Sequence, residues 1–228
     1  MSKMHGGGPV RAELVQHTVN SKVTTGAPFL TLTKPVAETI NNGDLLIILI
    51  GNDMTTDTAQ WDDTTHKPSG FTLVDTGGST ASAAHLAEFW RIADGTETTT
   101  IDVSSVNAAD VVGWYIHIRG AHATAPIGAE GAVTITGNST SQSIPGATGN
   151  EDDLGLFLSM WDGGDTYPFT VSGTGWVRDG QVQASTSSGV VAGCFGTKIY
   201  DSTAAQSVTV DGSVSDGKVG HQFRILAK

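Results

Sequence analysis

The sequence predicts an all-β protein, namely an antiparallel, jelly-roll-like β-sandwich built from two degenerate repeats. Short apolar or alternating runs are separated by Gly, Pro, Asn and Asp, which is typical of strands joined by turns. No stretch of ten or more residues combines a helical period with capping residues. The chain also nearly repeats itself at an offset of about 107 residues. Repeated strands without intervening helices indicate packed sheets.

The two copies share strand cores and the turns that end them. Residues 91–94 match residues 198–201, and residues 112–118 match residues 219–225, both at an offset of 107. Upstream the offset drifts, so that Asp44-Leu45 matches Asp153-Leu154. No cluster of titratable residues is shared. We therefore expect repetition of a scaffold rather than of a chemistry, which favours a structural or binding protein over an enzyme.

Seven strands are predicted in the first copy. They cover residues 13–20, 29–33, 44–51, 69–74, 84–92, 98–103 and 111–119. The runs 44–51 and 111–119 are almost continuously apolar, which predicts strands buried on both faces. The turn signals Asn41-Asn42-Gly43 and Ala93-Asp94-Gly95-Thr96 separate strands. Residues 98–103 alternate between polar and apolar side chains, which predicts a half-exposed strand.

The second copy repeats this order. Its predicted strands cover residues 133–136, 154–161, 174–178, 189–200, 207–210 and 219–226. We assign residues 1–10 to a Gly-rich arm and residues 11–228 to the sandwich, with repeats of about 11–125 and 126–228. In the preferred packing, each half contributes strands to both sheets of one sandwich. In the alternative, each half is a small sandwich of its own.

Charge and cysteine content exclude several classes of protein. The formal net charge is −11 and the basic residues are scattered, so we expect no binding to nucleic acid or to an anionic membrane. Cys194, the single cysteine, lies in an apolar run and is predicted to be a buried small side chain. The absence of disulfides indicates folding in a reducing compartment. The first ten residues do not form a signal peptide, and no run is long enough to span a membrane.

The N-terminal arm is a candidate interface. It contains Met4, His5, Gly6, Gly7, Gly8 and Pro9, a composition that does not hold a regular element. Its His-Gly-Gly-Gly segment resembles the oxyanion loop of lipases, but the matching Gly-x-Ser-x-Gly nucleophile motif is absent. We therefore expect the arm to dock on a partner, and we assign no catalytic residue.

Three further groups of residues are candidate sites. The seven histidines show no metal-ligand spacing. Asp162 and Asp165 flank two glycines in a turn that offers oxygen ligands for Ca²⁺, although the full EF-hand pattern is missing. Trp61 and Trp161 follow the two apolar strands and lie next to aspartates, which suggests glycan or partner stacking. The alternative is that both tryptophans fill the core. No cofactor and no carboxylate pair for hydrolysis is predicted.

Several sequence blocks occur in a recognisable order. They are Gly43-Asp44-Leu45-Leu46, Pro68-Ser69-Gly70-Phe71-Thr72-Leu73, residues 89–97 with the sequence FWRIADGTE, and residues 115–120 followed by Ala125-Pro126-Ile127. This order resembles β-sandwich modules of bacteriophage virion proteins, in which blocks of the type GDLL, PSGWTL and KIADGTE recur. The resemblance covers residues 30–130, with residues 130–228 as a degenerate second copy. The chain departs conservatively from the pattern at Phe71 and Trp90.

The resemblance implies a structural role in a virion and no catalytic residues. We expect a capsid-exterior decoration protein that is made in the host cytoplasm, forms a homo-oligomer and docks on other virion proteins through its arm and loops. The alternative is a tail or fibre component that binds a host-surface glycan or receptor. A carbohydrate-active enzyme on a sandwich fold is the third possibility.

Overall fold

A computed structural model of the protein describes residues 10–22, 29–54, 60–78, 82–104, 110–163, 167–185 and 190–228. Within these ranges the chain forms strands and no helix, and all strand pairs are antiparallel. The predicted all-β antiparallel sandwich is thereby confirmed. The strands are β1 Glu13–Lys22, β2 Phe29–Thr33, β3 Leu45–Asp53, β4 Thr72–Gly78, β5 Ala84–Ile92, β6 Thr100–Ser104, β7 Val111–Arg119, β8 Ile127–Glu130, β9 Thr134–Ile144, β10 Leu154–Asp162, β11 Thr170–Ser172, β12 Val177–Gln183, β13 Val191–Ile199 and β14 Val208–Ile225.

Each repeat forms its own principal sheet. In the first repeat the strand order is β1-β7-β3-β5-β4, and β2 and β6 form a separate two-stranded sheet. In the second repeat the order is β11-β14-β10-β13-β12, with β8 and β9 also pairing with β14. The preferred prediction, in which each half contributes strands to both sheets, is wrong. Strands of one copy pair with other strands of the same copy, and the two principal sheets then pack face to face.

The register of the two sheets is the same. Leu45 pairs with Ile92 between β3 and β5, and Leu154 pairs with Ile199 between β10 and β13. Equivalent residues are therefore 109 positions apart on β3 and β10, and 107 apart on β5 and β13. The same offset of 107 relates β7 to β14. The sequence repeat is thus a structural duplication.

A β-bulge is duplicated as well. The register of β4 shifts between Leu73 and Asp75 against β5, and that of β12 shifts between Arg178 and Gly180 against β13. Bulges bend a strand and redirect its side chains. Because the bulge occurs in both copies, Asp75 and Gly180 occupy equivalent positions on the edge strands of the two sheets.

Three cores explain why the central strands are apolar on both faces. The central core lies between the two principal sheets and contains Leu45, Ile47 and Leu49 of β3. The intervening residues of β3 enter a first outer core, which also contains side chains of β2 and β6. A second outer core in the second repeat contains Phe157, Trp161, Phe169 and Trp176, among others. Each principal sheet is therefore covered on both sides, as the continuous apolar runs predict.

The second repeat differs from the prediction in its last strand. We expected two strands at residues 207–210 and 219–226, but β14 runs without interruption from Val208 to Ile225. The intervening sequence is polar and contains two glycines, which suggests a turn. It is held instead by pairing with β9, where the register shifts twice. The short strands β8 and β11 were not predicted.

Gly43 provides a test of the turn that starts β3. Its φ of +90° lies in the left-handed region, and no atom would meet an added Cβ within 4 Å. We expect Gly43→Ala to lower the free energy of unfolding by about 1–2 kcal/mol, since only backbone strain opposes the methyl group. Gly137→Ala is the matched control, because Gly137 also has open space but no positive φ. Urea denaturation of both variants measures the difference; equal stabilities would contradict the backbone explanation.

Candidate functional site

A polar cluster interrupts the central core between the two repeats. It consists of Asp75 on β4, Glu88 on β5, Glu130 on β8 and His221 on β14. Glu88 and His221 are fully buried, Asp75 is half-buried and Glu130 is exposed. We call these four residues the inter-repeat cluster. It contains side chains from both repeats, and it reaches solvent through Asp75 and Glu130.

Both nitrogens of the His221 ring face oxygen atoms. Nδ1 lies 2.5 Å from Oε2 of Glu88, while Nε2 lies 3.1 Å from the carbonyl oxygen of Gly131 and 3.7 Å from Oδ2 of Asp75. Burial alone would lower the pKa of His221, but the charges of Glu88, Asp75 and Glu130 raise this pKa to about 9. Burial raises the pKa of Glu88. The pair is a buried ion pair that joins the two sheets.

The duplication places an apolar group at the equivalent position. Phe195 is the counterpart of Glu88, Trp114 is the counterpart of His221, and Gly180 replaces Asp75. The rings of Trp114 and Phe195 form an edge-to-face pair with centroids 5.4 Å apart. A Cβ added at Gly180 would collide with the Phe195 ring, so the glycine makes room for the aromatic pair. The position equivalent to Asp75, Glu88 and His221 is therefore packed with Gly180, Phe195 and Trp114, none of which is charged.

Sequence reasoning missed the inter-repeat cluster. Its four members come from four strands, two in each repeat, so no short sequence spacing between them predicts a site. The aligned copies did contain a signal, because His221 stands where the first copy has Trp114. A charged residue at a position that is aromatic in the other copy indicates a changed environment. His221 is hydrogen-bonded, and its main partner, Glu88, lies in the other repeat.

A second candidate is a cavity of about 440 Å³ on the outer side of the first repeat. We call it the first-repeat pocket. Arg91 lies at its wall, with Nη2 3.0 Å from Oδ1 of Asp94 and 3.4 Å from Oε1 of Glu97. Burial raises the pKa of Tyr115 to about 12, so its hydroxyl stays neutral. The lining residues are Ser69, Phe71, Arg91, Thr96, Glu97, Thr98, Thr100, Ile101, Asp102 and Tyr115.

The corresponding region of the second repeat is occupied by protein. Trp176 takes the place of Phe71, and its ring packs edge-to-face on Phe157 with centroids 5.5 Å apart. Lys198 takes the place of Arg91, and its ammonium donates to Gln206 and to the carbonyl of Thr174. Both side chains are therefore engaged by other groups of the second repeat. The first-repeat pocket is therefore a point at which the two copies have diverged.

The structure does not support the predicted stacking role of Trp61 and Trp161. Trp61 is 1% exposed in the first outer core, and Trp161 is 0% exposed in the second outer core. Trp161 belongs to β10 rather than to a loop, and Nζ of Lys218 lies 4.3 Å from its ring centroid. Neither indole offers a face to a ligand, so the stacking prediction is wrong. The alternative that both tryptophans fill the core is confirmed.

Two other predicted sites fall partly outside the described residues. Arm residues Met4, His5, Gly6, Gly7, Gly8 and Pro9 lie outside them, as does Asp165 of the suggested Ca²⁺ pair. Asp162 ends β10 and is half-buried. In the part of the chain that the structure describes, the group with metal-ligand geometry is formed by Asp75, Glu130 and His221 and does not include Asp162.

Cys194 is fully buried in β13, and burial raises the pKa of its thiol. A thiol in this environment stays protonated and unreactive. The prediction that Cys194 is a buried apolar side chain is confirmed.

Asp53 is expected to make the free energy of unfolding depend on pH. Burial, followed by the charges of Asp110 and Asp162, raises its pKa from 3.8 to about 7. The folded state therefore holds this proton more tightly than the unfolded state. The resulting stabilisation is complete below about pH 3.8 and is lost as the pH rises through about 7. We expect Asp53→Asn to stabilise the protein at pH 8.5 by on the order of 1–2 kcal/mol, after allowance for solvent screening.

Urea denaturation at about pH 5 and about pH 8.5 measures this effect. The amide introduced by Asp53→Asn keeps an oxygen that can accept the hydrogen bond donated by the Asp110 amide, which is 2.9 Å long in the parent. Glu151→Gln serves as the control. It also removes one carboxylate, but Glu151 is exposed and lies before the start of β10, whereas Asp162, which influences Asp53, lies at the other end of that strand. A stabilisation that is equal at both pH values would contradict the assignment to Asp53.

The structure is a duplicated antiparallel β-sandwich with a polar cluster between the copies and a pocket on the outer side of the first repeat. No family model, curated protein or solved structure matches the chain. In the described ranges, no helix has the length and apolar character needed to cross a membrane.

Proposed function

We propose that the protein is a non-enzymatic structural component of a bacteriophage virion. The role that we favour is capsid-exterior decoration, in which the arm and loops dock on other virion proteins and copies of the chain associate with one another. The observation that carries the proposal is the duplication. Strand register, bulge and turns are repeated, whereas the candidate sites are not, as expected where the scaffold itself is the function.

The first of the blocks that resemble virion proteins has a structural role in this fold. Asp44 of the GDLL block is buried before β3, where its Oδ2 accepts the Asn41 amide at 2.9 Å and lies 2.8 Å from Nε2 of His117. In the second repeat, Oδ2 of Asp153 accepts the Asn150 amide at 2.8 Å. These aspartates fix the turn that starts a central strand. The resemblance therefore concerns the architecture, which supports a shared structural role.

Docking is tested by cosedimentation with phage capsids from which this protein has been removed. The full chain is compared with a variant in which residues 4–9 are replaced by serines, so that length is kept. We expect saturable binding of the full chain and loss of binding in the variant. Failure of both proteins to bind would contradict the capsid assignment. Equal binding of both would contradict docking through the arm.

The first-repeat pocket favours a second candidate, a glycan-binding tail or fibre module. Arg91, Asp102 and Tyr115 offer donors and acceptors around a cavity of about 440 Å³, which suits a ligand rich in hydroxyl groups. A glycan array identifies a ligand, and calorimetry measures its affinity. Tyr115→Phe removes one hydroxyl and is expected to weaken binding about tenfold. Tyr167→Phe, in the second repeat, is the control. Unchanged affinity in Tyr115→Phe would contradict binding in this pocket.

A further inference from the structure

We propose that the inter-repeat cluster binds one divalent transition-metal ion, with Zn²⁺ as the best fit, through Asp75, Glu130 and His221. One ligand atom from each of these residues lies within 4.8 Å of the others. The set combines an imidazole with two carboxylates, which suits Zn²⁺ better than the all-oxygen ligation that Ca²⁺ and Mg²⁺ prefer. This inference does not depend on the proposed virion role.

The positions of the three ligands suit metal entry. His221 is buried, whereas Asp75 is half-buried and Glu130 is exposed, so two of the three ligands are accessible from solvent. A tetrahedral Zn²⁺ places its ligand atoms roughly 3–3.5 Å apart. Nε2 of His221 and Oδ2 of Asp75 are 3.7 Å apart, close to this spacing, and the ligand atom of Glu130 lies within 4.8 Å of both residues' ligand atoms.

Glu88 supplies a second, independent observation. Its carboxylate is fully buried, and its Oε2 lies 2.5 Å from Nδ1 of His221. A carboxylate on one ring nitrogen, with the other nitrogen turned toward the ligand set, is the arrangement that orients metal-binding histidines. Oε1 of Glu88 has no hydrogen-bond partner among the residues that the structure describes. A bound cation near the imidazole would compensate this buried charge.

The charge balance of the cluster points the same way. Three carboxyl groups surround one imidazole, so acidic side chains outnumber the basic one in the cluster. The equivalent position holds Trp114, Phe195 and Gly180, so the fold does not require these charges. When the metal binds, the proton on Nε2 that points to the Gly131 carbonyl leaves to solvent. The Nε2 lone pair would then coordinate the metal ion.

Titration calorimetry of the full-length protein with Zn²⁺, and separately with Ca²⁺, tests the site. We expect one Zn²⁺ per chain and a higher Tm in its presence. Asp75→Asn and Glu130→Gln change rim residues and should fold, and each is expected to weaken Zn²⁺ binding roughly 10–100-fold. Glu151→Gln, which removes an exposed carboxylate in the turn before β10, should leave affinity unchanged.

Three outcomes would overturn the proposal. One is the absence of saturable Zn²⁺ binding to the parent protein. Another is unchanged affinity in both Asp75→Asn and Glu130→Gln, which would place the ion elsewhere, for example on a histidine outside the cluster. The third is tighter binding of Ca²⁺ than of Zn²⁺, because such a preference would exclude the imidazole as a principal ligand.

Discussion

Replacing His221 with Leu is expected to lower the free energy of unfolding by about 3–5 kcal/mol when metal is excluded by a chelator. The substitution leaves the Glu88 carboxylate buried without its partner, and that desolvated charge has no other hydrogen bond in the described residues. Chemical denaturation measures the loss. A loss below about 1 kcal/mol would contradict the account of the cluster as a buried ion pair between the repeats.

The other repeat shows which residues could restore the stability lost on replacing His221. The combined variant Asp75→Gly, Glu88→Phe and His221→Trp installs the residues that close the equivalent position in the other half of the central core. We expect its stability to lie within about 1–2 kcal/mol of the parent, because well-packed apolar side chains can replace a buried ion pair. It should bind no Zn²⁺. A variant as unstable as His221→Leu would contradict the structural equivalence of the two positions.

The second large effect is expected at Arg224. This side chain is fully buried, and its guanidinium donates to the carbonyls of Ala147, Asn150 and Ala204 at 2.9, 2.9 and 3.0 Å. The Cζ atom of Arg224 also lies 3.4 Å from the ring centroid of Tyr200. Arg224→Met removes all of these contacts and leaves three carbonyls without this donor. We expect a loss of about 3–5 kcal/mol, because several polar groups become unsatisfied together.

Arg119→Met is the matched control for Arg224. Arg119 ends β7 and its side chain is 37% exposed; it donates one hydrogen bond of 3.0 Å to the carbonyl of Thr39, and its Nε lies 3.8 Å from Oδ2 of Asp44. Its replacement is expected to cost about 1 kcal/mol or less. Denaturation of both variants under one set of conditions gives the comparison. Similar losses in the two variants would contradict the role of Arg224 as an internal clamp of the second repeat.

Much of the fold could be predicted because strand cores and turns leave local signals. The apolar run of β3 and the Asn41-Asn42-Gly43 turn before it indicated the position of a central strand. The matching run at β10 then revealed the duplication. Which sheet each strand joins was not predictable, because a continuous apolar run says that both faces are covered but not by which elements.

The candidate sites were much harder to predict. The partners of His221 come from β4, β5 and β8, and only the packing of the two sheets brings them together. The tryptophans misled for a related reason. Trp61 is followed directly by aspartates, yet its ring turns inward to fill an outer core. The residues next to a tryptophan in the sequence do not determine whether its ring is buried. Burial depends on which strands and sheets pack against it.

We propose above that this protein is a component of a virion. Quantitative mass spectrometry of purified phage particles that encode it tests the claim most directly. The account predicts that the chain copurifies with the particles in a fixed ratio to the major capsid protein. Absence of the chain from particles that contain complete capsids and tails would contradict a structural role in the virion.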